Sequence, residues 1–338
     1  MSAPLLRVEG LTTDLSTSHG PLRAVDGVSF ELGRGEALAL VGESGSGKTM
    51  TCLSLVRLLP AVGRITSGSI ELEGEELTTK SERALRRIRG DRIAMILQDP
   101  LGALDPVYTV GNQLAETFRL ERPRPRRRDV RARSVAALDR VHIQDPVRRL
   151  RSYPFEFSGG MRQRVSAAIA LARDPALLIA DEPTTALDVT TQRQFLDLLD
   201  ELRRERGMGL LLVTHDLGIV REVCDRVAIM YAGRIVETGT VEGVFARPAH
   251  PYTRALLAAI PRLSGERTER LAQIDGEPPD LVQLPPGCRF APRCPHATDL
   301  SRREEPPTVV GPASSVACWL HVPDAPAGAP REPRPSEP

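Results

Sequence analysis

The chain has 338 residues, 41% of them hydrophobic, with 45 Lys and Arg against 44 Asp and Glu and a formal charge of +1. That length accommodates one large domain and a smaller appendage, and the balanced charge excludes a global field drawing the protein to nucleic acid or an anionic membrane surface. Five cysteines argue against a disulfide framework; with no apolar run of roughly 18 residues and no basic stretch leading into one at the start, a soluble, cytoplasmic protein is expected.

In chain order, "LLRVEGLTTDL", "RAVDGVSFEL" and "GEALALVG" read as strands, the last a continuous apolar run suited to a buried parallel strand. "TMTCLSLVRLLP" carries apolar residues at helical spacing and is expected to stop at Pro60. "SGSIELEGEEL" reads as a strand pair, and "DRIAMILQDP", "PALLIADEP" and "GLLLVTHDL" as buried strands ending in polar residues. Strands alternating with helices indicate an α/β core with a mostly parallel sheet. Between Leu101 and Ser158 the strand signal vanishes, and "ERPRPRRRDVRARSVAALDRV" is expected to be a helical insert with a solvated charged face. After Phe245 a short helix, "HPYTRALLAAIP", stands behind prolines; then Pro, Gly and Cys dominate, and "PDAPAGAPREPRPSEP" is too polar and proline-rich to bury a core.

Two stretches suit an anion. "GESGSGKT", Gly42 to Thr49, fits the phosphate-loop pattern and sits between a predicted strand and a predicted helix. Its glycines let the N–H groups of the loop from Gly42 through Glu43, Ser44, Gly45, Ser46 and Gly47 approach phosphate oxygens. Lys48 is expected to reach the β and γ phosphates and Thr49 to ligate Mg²⁺. "LLIADE" ends an apolar strand in two carboxylates, expected on opposite faces of the extended chain: Asp181 for the metal, Glu182 as general base toward the attacking water. Far from the first cradle, Ser158, Gly159 and Gly160 at a helix start form a second.

Taken together, and in this order, the motifs resemble those of the ATPase subunit of an ATP-binding cassette (ABC) transporter over roughly Leu6 to Phe245. "GESGSGKT" resembles its Walker A loop, Gln98 its Q-loop, "FSGGMRQR" its signature, "LLIADEP" its Walker B strand, "ALD" ending at Asp188 its D-loop and His215 its switch histidine. The signature departs from the commonest LSGGQ form at Met161. The resemblance implies a P-loop NTPase fold with a RecA-like parallel-sheet core, an N-terminal antiparallel β region and a helical subdomain. It further implies that ATP lies between two subunits, one lending its Walker A loop and the other capping the γ-phosphate with its signature helix; two cradles on one chain then serve two different nucleotides. Gln98 is expected to touch Mg²⁺ or the water, and His215 the γ-phosphate. For the adenine, His19 is the nearest ring and Val25 an apolar contact.

The extension narrows the group. "HPYTRALLAAIP" and "PPGCRFAPRCPHA" resemble the tail of ATPases of the dipeptide, oligopeptide and nickel importers, specifically the D-type subunit that pairs with an F-type ATPase. Expected boundaries are 1–245 for the nucleotide-binding domain, with the helical subdomain at about 101–165, then 246–325 for the extension and 326–338 for a disordered tail. Relatives carry four tail cysteines able to bind a 4Fe-4S cluster; here Cys288, Cys294 and Cys318 remain and Ser301 stands at the third position. A cluster, zinc on a Cys3His set completed by His296 or His321, and plain reduced thiols stay open as readings. The resemblance implies an ATP-hydrolysing subunit, peripheral at the cytoplasmic face of the membrane, working with a second ATPase, two permease subunits and an extracytoplasmic solute-binding protein. The alternative is a non-transport ABC ATPase of DNA repair or translation; no sustained heptads and no second cassette support it, and no nucleic acid is expected.

Overall fold

The computed structural model describes residues 3–18, 20–121, 123–260, 274–311, 314–323, 325–326 and 328–330. The elements are, in order, β1 (Leu6–Thr17), β2 (Gly20–Leu32), β3 (Ala37–Val41), α1 (Lys48–Leu55), β4 (Gly63–Leu72), β5 (Glu75–Glu76), α2 (Glu82–Ile88) and β6 (Ile93–Ile96). There follow α3 (Pro100–Ala103), α4 (Val110–Arg119), α5 (Arg127–Arg140), α6 (Pro146–Arg149), α7 (Gly159–Ala170), β7 (Leu177–Asp181), α8 (Val189–Arg206), β8 (Gly209–Thr214) and α9 (Leu217–Val223). The chain continues through β9 (Arg226–Tyr231), β10 (Arg234–Thr240), α10 (Val241–Ala246), α11 (Pro251–Ala258), α12 (Asp299–Arg303), β11 (Thr308–Val310) and β12 (Ser314–Ala317). Two compact units result, one of Met1–Arg7, Glu31–Ala37 and Ile70–Thr214, the other of Val8–Phe30, Leu38–Ser69 and His215–Pro338.

In the first unit three strands run parallel in the order β8-β7-β6, with Leu177 opposite both Gly209 and Ile93. Every residue of β7 and β8 is buried, as a parallel strand covered on both faces must be, and each large aliphatic side chain removed from water contributes about 2 kcal/mol before entropy is counted. Between β6 and α7 the regular elements among the described residues are helices only; α4, α5 and α7 pack on one another, with Leu114 and Phe118 buried on α4 and Val130 and Leu138 on α5. The expected pair "SGSIELEGEEL" is a hairpin, Glu71 opposite Glu76, whose two-residue turn puts Glu73 at φ 53° and Gly74 at φ 77°; both positive values match the twist of the flanking strands.

In the second unit β3 runs parallel to β9, and β9, β10, β12 and β11 continue as antiparallel neighbours. β2, β1 and the first part of β4 form the N-terminal antiparallel sheet. The α/β expectation therefore holds, with one correction of extent. α1 ends at Leu55, short of Pro60, because Arg57 turns left-handed at φ 50° and the N–H groups of Arg57 and Leu58 bond back to the carbonyls of Ser54 and Leu53, a Schellman closure without glycine. The ribbon β11–β12 was not legible either; Ser314, Ser315 and Val316 align with β10 through a partner strand nearly eighty residues earlier in the chain. Of the proline-rich tail, 331–338 lie outside the described residues. No described helix is long and apolar enough to cross a membrane.

Candidate functional site

The glycine loop lies wholly in the second unit, where β3 ends beside β9 with Val41 opposite Ile229. Two of its glycines are sterically required. A Cβ on Gly42 would lie 2.1 Å from the Met230 carbonyl oxygen, and one on Gly47 2.3 Å from that of Ala24; Gly47 also caps α1 at φ 104°, a region closed to most side chains. Gly45, at φ +76°, meets nothing within 4 Å, so that flank of the loop is open. Lys48 is 5% exposed and donates to the carbonyls of Gly42 (2.7 Å) and Glu43 (3.0 Å), closing the loop into a ring around an ammonium. The Ser46 hydroxyl is buried there without a hydrogen-bond partner. A ring of backbone N–H groups at a helix start, with a buried lysine, an orphan hydroxyl and an open flank, fits phosphate oxygens. Ser44 and Thr49 are exposed, Thr49 one residue into α1.

In the first unit the carboxylates and the glutamine stand at the carboxyl ends of neighbouring parallel strands, where open α/β sheets place their ligands. Asp181 is the last residue of β7, opposite Val213, and is buried. Glu182 is not extended: it sits at φ 44°, its N–H donating to the Val213 carbonyl (2.9 Å). The two carboxylates are thus separated by a left-handed turn and not by strand pleating, a correction to the expectation, and the turn stores of order 1 kcal/mol of strain. Gln98, in the loop after β6, donates from Nε2 to Glu182 Oε2 at 3.2 Å, and Thr185 Oγ1 donates to the same oxygen at 3.0 Å. Gln98 and Glu182, 84 positions apart in sequence, are brought together.

The second cradle opens α7. Ser158 is its N-cap, with Oγ accepting from Met161 N (3.4 Å), while Ser158 and Gly159 are exposed and Met161 is half-buried. A Cβ on Gly159 would be 3.9 Å from the Ala186 carbonyl oxygen, and one on Gly160 2.4 Å from Thr191 Cγ2, so Gly160 lets α7 approach the start of α8. Asp188 caps α8, accepting from Thr191 N (3.0 Å) and Thr191 Oγ1 (2.7 Å); the Thr191 backbone bond, then its hydroxyl, hold the Asp188 carboxyl below the usual range. His215 is exposed in the turn after β8.

Three expectations fare differently. His19 lies outside the described residues. Val25 is fully buried in β2 and offers no surface to a base. For the cysteines, the described residues contain no group of three or more His, Cys, Asp or Glu set to hold a metal. Ser301 at the fourth corner is committed to its own helix cap, donating to the Thr298 carbonyl (2.9 Å) and accepting from Thr298 N (2.9 Å). Cys288, Cys294 and Cys318 line one cavity with His250, His296 and Ser301, and burial pushes the Cys318 thiol up to about 12 and raises Cys288 and Cys294.

The C-terminal stretches also hold the glycine loop. Tyr252 of "HPYTRALLAAIP" and Arg293 of "PPGCRFAPRCPHA" both touch Glu43, the latter across 250 positions, a contact that no local pattern signals.

A family profile described as ABC transporter matches residues 25–185, and one described as oligopeptide/dipeptide transporter, C-terminal region, matches 236–300. A Brucella abortus protein named as a peptide import ATP-binding protein is 50% identical over 90% of this chain and 93% of its own length. The oligopeptide transport ATP-binding protein OppD of Mycobacterium bovis is 48% identical over 90% of this chain, which spans 50% of that protein. Among solved structures, the dimeric ATP-binding cassette MJ0796 bound to ADP and phosphate superposes with a TM-score of 0.63 at 25% identity, over 70% of this chain and 98% of that one. CbiO1 from Clostridium perfringens, part of the transporter complex cbiONQ, gives 0.61 at 28% identity over 73% and 92%.

Proposed function

Since the chain belongs to the ABC transporter ATPase family and carries the oligopeptide/dipeptide transporter C-terminal region, we propose that it hydrolyses ATP to power the import of peptides through a membrane complex. The observation that carries this reading is the glycine loop: Gly42 and Gly47 leave no room for side chains, and Lys48 is buried inside the ring they form.

The loop from Gly42 to Gly47 binds the phosphates with backbone N–H groups, and Lys48 neutralises them. Asp181, Gln98 and Thr49 would hold Mg²⁺, which would supply neutralisation of phosphate charge. Glu182 accepts the proton of the attacking water, and its bonds from Gln98 and Thr185 fix the carboxylate in direction. His215 contacts the γ-phosphate. Ser158, Gly159, Gly160 and Met161 cap the nucleotide of a partner ATPase, with Asp188 beside them; this is supported by the exposure of the α7 start and by the likeness to a dimeric cassette. The partner is an F-type ATPase, and two permeases and an external solute-binding protein complete an importer at the cytoplasmic face of the membrane. Within the chain, 1–245 form the ATPase domain, with a helical subdomain at about 101–165, and 246–325 its extension; the two profile matches support this division.

Lys48→Ala tests the reading. Titration of the purified chain with MgATP is expected to show binding weakened by at least about tenfold, the scale of one lost charge-assisted contact to phosphate. Unchanged affinity would refute the site.

A further inference from the structure

A carboxylate inside a phosphate loop is an electrostatic fault. Glu43, second residue of the loop, places a negative charge next to the groups that gather a polyanion. Its backbone is committed to the loop: the Glu43 carbonyl accepts from Lys48 Nζ (3.0 Å) and Ser46 N (3.2 Å). Moving Glu43 therefore moves the lysine.

The C-terminal region holds Glu43 at two points, its backbone and its carboxylate. Tyr252, fully buried against Tyr231 and Phe290, accepts the Glu43 backbone N–H on its hydroxyl at 2.9 Å. Arg293, whose side chain is 4% exposed, grips the carboxylate with both prongs, Nη1 to Oε2 at 2.7 Å and Nη2 to Oε1 at 3.1 Å. The guanidinium is itself fixed. Its Nε donates to the Asp275 carbonyl (3.0 Å), Nη2 to that of Ile274 (3.2 Å) and Nη1 to the Tyr231 hydroxyl (3.4 Å). Four residues earlier, Arg289 donates to Asp26 and to the Ala232 carbonyl, beside Gly233, whose N–H donates to the Ser46 carbonyl at 2.8 Å. Both arginines of "CRFAPRC" are thus anchored to the backing of the loop. A bidentate Arg–carboxylate pair with no freedom to reorient cancels the Glu43 charge and pre-orders a glycine-rich segment that would otherwise lose entropy on binding.

We propose that Arg293 is a positioning residue for nucleotide binding: the C-terminal region tunes the affinity of the phosphate loop by neutralising and fixing Glu43. The proposal rests on the reading of Gly42 to Thr49 as the ATP phosphate loop.

The experiment titrates the full-length chain with MgATP and reads affinity separately from the fraction of molecules that bind, which follows folding. Arg293→Gln is expected to raise Kd roughly tenfold, the scale of one uncompensated charge felt at an effective dielectric of about 20. Removing the charge itself should repair this: the double variant Glu43→Gln, Arg293→Gln is expected within about threefold of the parent. A purely structural arginine predicts the opposite, a double variant no better than Arg293→Gln. That result, or an Arg293→Gln affinity within twofold of the parent, overturns the proposal. Should Arg293→Gln fail to fold, Arg293→Lys, which keeps the charge and loses the fork, is expected to bind within about threefold of the parent; a tenfold loss there overturns the charge argument. Lys48→Ala runs alongside. If it binds like the parent, the site reading falls, whereas loss of binding in Lys48→Ala beside parental affinity in Arg293→Gln removes the present inference alone.

Discussion

At the scale of single residues, Glu182 occupies a left-handed backbone conformation, φ 44° at a strand end, with its carboxylate fixed by Gln98 and Thr185, and strain of this kind concentrates at functional sites. Glu182→Gln, nearly the same size, is expected to retain MgATP binding while turnover in the assembled transporter falls by about 10² or more, the scale of a lost general base; turnover near the parental value would take the proton from another group. A second residue sets a pH limit. His250 caps α11, its Nδ1 accepting from Tyr252 N at 3.0 Å, and burial, together with the nearby charges of His321 and Arg254, lowers its pKa from 6.5 to about 3. Glu237 lies beside it, accepting the His250 backbone N–H at 2.9 Å. Between those two pH values the unfolded chain binds a proton that the folded chain refuses. Stability is therefore full above about 6.5 and declines as the pH falls, by at most about 1.4 kcal/mol per pH unit. Thermal unfolding at pH 7.5 and 5.5 measures this, and His250→Asn, which keeps an acceptor but cannot titrate, is expected to flatten the difference.

At the scale of elements, the helices between β6 and α7 depend on close backbone approaches. Gly111, one residue into α4, donates to the Leu150 carbonyl at 2.9 Å, and a Cβ there would lie 2.5 Å from the same oxygen. Since the obstacle is backbone and not a side-chain tip, Gly111→Ala is expected to cost about 1–3 kcal/mol, read from the midpoint of urea unfolding; an unchanged midpoint would mean that the α4 contact yields freely. In the signature segment the close approach is to a side chain. Gly160 is required by the approach of α7 to Thr191, which in turn bonds Asp188, so a packing contact joins the anion cradle to the residue of the D-loop pattern.

At the scale of the whole molecule, one chain carries the glycine loop before α1 in one compact unit and the start of α7 in the other. If the signature of each chain caps a nucleotide held by its partner, damage to the two cradles must separate in the assay. Ser158→Arg is expected to leave MgATP affinity of the isolated chain intact and to abolish turnover in the assembled transporter. Equal turnover of variant and parent would show that the α7 start meets no nucleotide.

What the sequence determined by itself is whatever a few adjacent residues can encode. Apolar runs five or six residues long announced β3, β7 and β8, and glycine spacing before a lysine announced a tight loop into a helix start, since backbone approach and helix starts are local properties. The motif positions of Gln98 and Glu182 were legible, though not the bond between them. Tertiary structure alone decided what depends on residues far apart or on a turn with no glycine to mark it. It ended α1 at Leu55, bent Glu182 out of the strand, buried Val25, committed Ser301 to a cap and carried Arg293 to Glu43. An ion pair across 250 positions exists only once the compact unit that holds both partners has excluded water and fixed both ends, and no pattern along the chain records that.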